Sequence, residues 1–237
     1  MKRIHILILP ILLLLLASTA QAQNTHAAKD LVKRGLTRFS RGDIEGAISN
    51  YEQALEINPQ QADAFFHRGR ARRAKGDLNG AISDYEACVQ IDPQLAENNR
   101  DIANAYFNRG FIRVNSLELV EALADLGQAI KYNPAYTEAF LKRGEAHLIL
   151  GECHKAIADF DKTLELNPYQ RLASLSYAGR GFAKLLLGDN EAAEKDFTES
   201  IKLNSDGKFF LELHLRLLEA QMKEVKRRRA APPERIA

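Results

Sequence analysis

The dipeptide Arg-Gly recurs along this chain at Arg34-Gly35, Arg68-Gly69, Arg109-Gly110, Arg143-Gly144 and Arg180-Gly181, at spacings of 34, 41, 34 and 37 residues. A repeat of this length constrains the fold more than any composition figure, because one unit cannot bury its own apolar face and must stack on its neighbours. The register holds beyond the dipeptide. Thirteen residues after each Arg stands an Ala (Ala47, Ala81, Ala122, Ala156, Ala193), and four further on an aromatic residue or Leu (Tyr51, Tyr85, Leu126, Phe160, Phe197). Four units then close on Asn-Pro or Asp-Pro at Pro59, Pro93, Pro134 and Pro168, and the fifth has Ser205 instead.

Each unit reads as two helices. "ADAFFHRGRARRAKG" has helical apolar spacing and stops at Gly76, whose freedom at positive φ suits a helix end. Asp77 can cap the next helix by accepting backbone N–H bonds. "LNGAISDYEACVQI" is that second helix, and Asp92-Pro93 ends it, because proline disfavours helical backbone in the residue before it. The small Gly69 and Ala81 let the two helices approach closely.

Repeats such as "AFFHRG…KGDLNGAISDYEACVQIDP" and "AFLKRG…LGECHKAIADFDKTLELNP" resemble the tetratricopeptide repeat (TPR) in its bacterial type. The resemblance implies an all-α fold: a right-handed α-α superhelix, or solenoid, of five helical hairpins at 28–61, 62–95, 103–136, 137–170 and 174–205. Leu117 departs from the pattern, standing where the other units have an inter-helix Gly. Residues 96–102 and 171–173 are spacers, and the seven in the first could lengthen the third unit's first helix by about two turns. "FFLELHLRLL" alternates apolar and polar residues as a strand does, but its length and leucine content favour a helix, so 206–229 is expected to be a C-terminal capping helix. Residues 230–237 are expected to form a disordered tail.

The chain opens MKRIHILILPILLLLLASTAQAQ: a charged start, an apolar run too short for a comfortable membrane span, and a small-x-small cleavage pattern at Ala20-Gln21-Ala22. Residues 1–22 therefore read as a secretory signal peptide, which makes the expected location periplasmic or secreted. Their removal would take Lys2 and Arg3 and no acid, turning the formal charge of +2 into zero. A neutral chain argues against a nucleic-acid partner. With only Cys88 and Cys153, disulfides do not hold the fold together.

Basic residues nonetheless cluster in "RGRARRAKGD", residues 68–77. Arg68 belongs to the repeated set, and sixteen residues after each such Arg stands Asn50, Asp84, Asp125, Asp159 or Asp196. An antiparallel hairpin sets these positions opposite one another, which predicts pairs such as Arg68–Asp84 and Arg143–Asp159. Arg72 has counterparts in Arg38, Arg113, His147 and Lys184, and is expected to pack its stem with its head at the surface. Arg70 and Arg73 have no such equivalents in most units and remain as candidate ligand contacts.

In the TPR family the first helices of the hairpins line a concave groove that generally holds a protein or peptide. The resemblance carries that role to Phe66, Arg70, Arg73, Phe107, Phe111, Leu141, Leu148 and Phe182, an apolar trough with a local positive spot. The expected ligand is an extended or helical segment with apolar anchors and an acidic group. The groove is expected to face solvent; filling by the chain's own C-terminal segment would overturn that. Some members grip a C-terminal carboxylate with Lys, Asn and Arg. The corresponding places here are Val32, Leu36, His67, Asn104 and Asn108 counted from the first unit, or Phe66, Arg70, Asn108, Glu138 and Lys142 counted from the second; neither set reproduces the clamp, so that specificity is not expected.

No HExxH, P-loop, GxSxG or EF-hand pattern is present. No catalytic residue, cofactor or metal is therefore expected, although His147, Cys153 and His154 flank one turn. The expected function is a non-catalytic scaffold or adaptor of the cell envelope. The alternative is a structural subunit of an envelope assembly or secretion complex that uses its convex face and C-terminal helix.

Overall fold

The computed structural model describes residues 23–96, 99–203 and 207–230. The signal peptide expected at 1–22 lies outside the described residues, as does nearly all of the tail. Among the described residues there are helices and turns and no strand. Helix α1 (23–40) is followed by α2 (Ile44–Ile57), α3 (Ala62–Lys75) and α4 (Leu78–Ile91). After a 3-10 turn at Pro93–Ala96 come α5 (Arg100–Asn115), α6 (Leu119–Tyr132), α7 (Thr137–Ile149), α8 (Cys153–Glu165), α9 (Gln170–Leu186), α10 (Asn190–Lys202) and α11 (Gly207–Ala230). Two compact units divide the chain, Met1–Ile102 and Ala103–Ala237.

The helix ends follow from single residues. Gly76 closes α3 at φ 91°, and its N–H reaches Arg72 O and Arg73 O. Asp77 then caps α4, its Oδ1 accepting from Gly80 N at 2.9 Å; Asp43 does the same for Gly46 at the start of α2. Asn58, Asp92 and Asn133, each ahead of a proline, are pulled to φ between −133° and −143°, which ends α2, α4 and α6. Leu117 occupies the place of Gly76 and takes the same left-handed conformation, φ 61°. For a residue with a Cβ this costs roughly 1–2 kcal/mol, so the hairpin geometry prevails over local preference there.

Within the first unit α3 packs on α4 and on α2. Tyr51 and Tyr85 are fully buried, and each lies over the glycine of its own hairpin. A Cβ at Gly69 would sit 2.8 Å from Tyr85 Cε1, so the repeated Gly is the hole and the repeated ring the knob. The second unit repeats the arrangement with Leu126 over Gly110, and with Phe160 filling the space between Gly144 and Gly179. Burial of each such ring contributes about 1.5–3 kcal/mol.

The spacer before the third unit does not extend a helix by two turns. α5 has 16 residues against 14 in α3, and only residues 100–102 of the spacer join it. Spacer 171–173 lies inside α9. The C-terminal segment is a helix, as its composition implies. It does more than cover the last hairpin, for α11 packs against α7 and α9 as well as α10.

Candidate protein-interaction faces

Four of the five repeated arginines are structural. Arg68 donates from Nε and Nη2 to the two carboxylate oxygens of Asp84 at 2.9 and 2.7 Å. Arg109–Asp125, Arg143–Asp159 and Arg180–Asp196 form the same two-pronged pair. The aspartates are 3–5% exposed. Arg72 corrects the expectation of a surface head. Its Nη1 donates to Asp84 at 2.9 Å, as Arg113 donates to Asp125 at 2.6 Å and Lys184 to Asp196 at 2.7 Å. Each of these carboxylates thus holds two cations from the preceding helix. For Asp196, burial by itself would raise the pKa. The hydrogen bonds and charges of Arg180 and Lys184 outweigh it and hold the carboxyl below the usual range. His147 is the fourth counterpart. Its Nδ1 is bonded to Glu152 at 2.6 Å and its Nε2 is 3.9 Å from Asp159.

On the face of the first unit, Arg70 and Arg73 converge on Asp101. Arg73 Nη2 donates to Oδ1 at 2.8 Å, and Arg70 Nε lies 3.0 Å from Oδ2 at an angle too poor for a hydrogen bond. They are therefore ion-paired rather than free, a correction to their reading as open contacts. Asp101, from the spacer, was not singled out by the sequence because it has no repeat equivalent. Two guanidinium groups sharing one carboxylate leave this face net positive. The guanidinium of Arg70 sits 5.5 Å from the centre of the Phe39 ring. Phe66 is half-buried, 5.3 Å from the His67 ring and 5.7 Å from Tyr85. The remaining member of the cluster, Lys75, reaches Glu45 at 2.7 Å, both well exposed.

The face of the second unit is largely covered. Leu141, Leu148 and Phe182 are 3%, 0% and 5% exposed, so they do not line an open groove. α7 and α9, the helices that carry them, pack against α8 and also against α11. Leu211, Leu218 and Val225 repeat every seven residues on α11, and the last two are buried. Near its C-terminal end Val225 and Arg228 border a pocket with Leu119 and Leu150. His214 Nε2 and Glu145 Oε1 are both enclosed without a hydrogen-bond partner among the described residues. Burial, the largest cause, depresses the His214 pKa; the Glu145 charge opposes this and the Lys142 charge adds to it. Coverage is incomplete at two places. An open pocket of about 730 Å³ lies between α9, α10 and the start of α11. Phe107 and Phe111 stand 6.2 Å apart on α5, with Phe107 4.8 Å from Tyr136 and Phe111 39% exposed under Lys142.

Among the described residues no cluster of three His, Cys, Asp or Glu has the geometry to hold a metal ion, and no helix is long and apolar enough to cross a membrane. Cys88 and Cys153 are buried free thiols. Burial pushes the Cys88 thiol up to about 11, well above the range of a reactive thiolate.

Family models described as TPR repeat and tetratricopeptide repeat match residues 35–72, 62–95, 118–171 and 175–206. Heat shock protein STI1 of Saccharomyces cerevisiae is 31% identical over 68 residues, which span 29% of this chain and 12% of that protein. The chain is thus similar to a small part of that curated relative. Among solved structures, MamA is 25% identical with a TM-score of 0.54, covering 78% of this chain and 94% of that one. YrrB, described as a TPR protein with an unusual peptide-binding site, is 21% identical with a TM-score of 0.59, covering 84% and 96%.

Proposed function

The chain carries tetratricopeptide repeats, and from that premise we propose that it is a non-catalytic scaffold of the cell envelope. It binds a protein segment on the face of its first unit. The observation that carries this reading is the pairing of Arg70 and Arg73 on the single carboxylate of Asp101, beside the rings of Phe39 and Phe66. A ligand with an apolar anchor and an acidic side chain complements that surface. α11 supports the mode of binding: an amphipathic helix already lies along the first helices of the second unit. The peptide-binding site named for YrrB is in accord with this. The envelope location rests on the sequence of residues 1–22.

The test is crosslinking in the native envelope with wild type and the double variant Arg70→Glu, Arg73→Glu. The variant is expected to keep its helical circular dichroism and lose the captured partner. Undiminished capture would reject the face.

A second reading, a subunit of a larger assembly that uses α11, is favoured by Leu213 and Leu217. They are 54% and 56% exposed on the side of α11 away from its buried stripe. Loss of capture on Leu213→Ser, Leu217→Ser instead of the arginine variant would select it.

A further inference from the structure

The first hairpin breaks the charge pattern of the others. Where Asp84, Asp125, Asp159 and Asp196 each sit between two side chains of the preceding helix, the first hairpin has Asn50. Its two basic positions, Arg34 and Arg38, are retained. Asn50 is 6% exposed, and its side chain makes no hydrogen bond among the described residues. Arg34 makes no hydrogen bond or ion pair among them either, and it is exposed where Arg68 is only 15% exposed. Arg38 donates to Gly46 O at 3.3 Å and lies 3.9 Å from Asp43, a carboxylate already spent on capping α2. Over Asn50 lies an open pocket of about 430 Å³, lined also by Arg34, Thr37, Arg38, Arg41 and Gln53. The later hairpins show what such a frame holds: one carboxylate, gripped by the fork of the first Arg and touched by the second cation.

We propose that the pocket over Asn50 is a carboxylate-binding site, which takes an acidic group from outside in the position that the repeated aspartate fills from within elsewhere. Arg34 supplies the two-pronged contact, Arg38 and Arg41 add charge, and the Asn50 amide donates from the floor. A planar carboxylate matches the arginine fork better than a spherical anion does. The site lies apart from Arg70, Arg73 and Asp101 and does not depend on the function proposed above.

The experiment follows the side-chain Nε–Hε resonances of arginine in the full chain by ¹H–¹⁵N NMR. Acetate, N-acetyl-aspartyl amide, phosphate and chloride are titrated at constant ionic strength. Saturable shifts of Arg34 and Arg38 with the two carboxylates, weaker by about tenfold or more in Asn50→Asp and in Arg34→Gln, are expected. In Asn50→Asp the new internal carboxylate occupies the frame, so that variant also melts higher than wild type, which shows that it folds. Tighter binding of the aspartyl amide than of acetate assigns the site to a protein segment; equal binding assigns it to a small free carboxylate. Shifts that stay linear for every anion, phosphate binding tighter than either carboxylate, or an Asn50→Asp variant that binds as wild type does would each overturn the proposal.

Discussion

At the scale of single residues, charge placement is governed by burial. Asp84 is almost wholly enclosed and accepts from Arg68 and Arg72, so removing it strands two guanidinium groups in a partly dry site. Asp84→Ala is expected to destabilise the first unit by about 3 kcal/mol, because breaking a buried pair costs far more than the intact pair contributes. A urea melt checks it; a loss below about 0.5 kcal/mol would place the pair among ordinary surface bridges. The spacing of sixteen was legible because the Arg recurs five times and its Asp four times, at a fixed offset. Asp101 was not, since it recurs nowhere and its partners lie twenty-eight and thirty-one residues back.

At the scale of elements, the repeat works through glycine and ring. Phe160 is fully buried and fills the space beside Gly144 and Gly179. A Cβ at Gly179 would meet Phe160 Cζ at 2.5 Å, and an enclosed ring has nowhere to go. Gly127, inside α6, has open space around it. Gly179→Ala is therefore expected to cost about 1–3 kcal/mol by overpacking, while Gly127→Ala gains up to about 1 kcal/mol from helix propensity. The two melting shifts should have opposite signs. Hairpin pairing and the helix stops at Gly76 and before each proline were readable from local chemistry. That only residues 100–102 of the spacer join α5 was not, because a seven-residue insertion satisfies helix and turn equally well until packing selects one.

At the scale of the whole chain, α11 decides which faces are available. Its His214 is half-buried with Nε2 enclosed, and burial depresses its pKa against the opposing charge of Glu145. Above the ordinary histidine range the imidazole is neutral whether α11 is docked or free. As pH falls below about 6.5, the freed helix binds the proton first, so docking weakens progressively until the docked imidazole also protonates. Hydrogen exchange of α11, corrected for its intrinsic pH dependence, is expected to quicken between pH 7 and pH 5 in wild type. In His214→Gln that change should vanish. An unchanged profile in both would show that the imidazole does not report on docking.

The sequence by itself determined the hairpins, their stops, the small residues where their helices meet and the Arg–Asp bonds. All of these are short-range consequences of residue type repeated at a fixed spacing. Tertiary structure alone decided that Leu141, Leu148 and Phe182 are covered and that Arg70 and Arg73 are already paired. Covering depends on where a helix with no repeat equivalent comes to rest. An apolar stripe such as Leu211, Leu218 and Val225 announces that it will be buried, but not against which face.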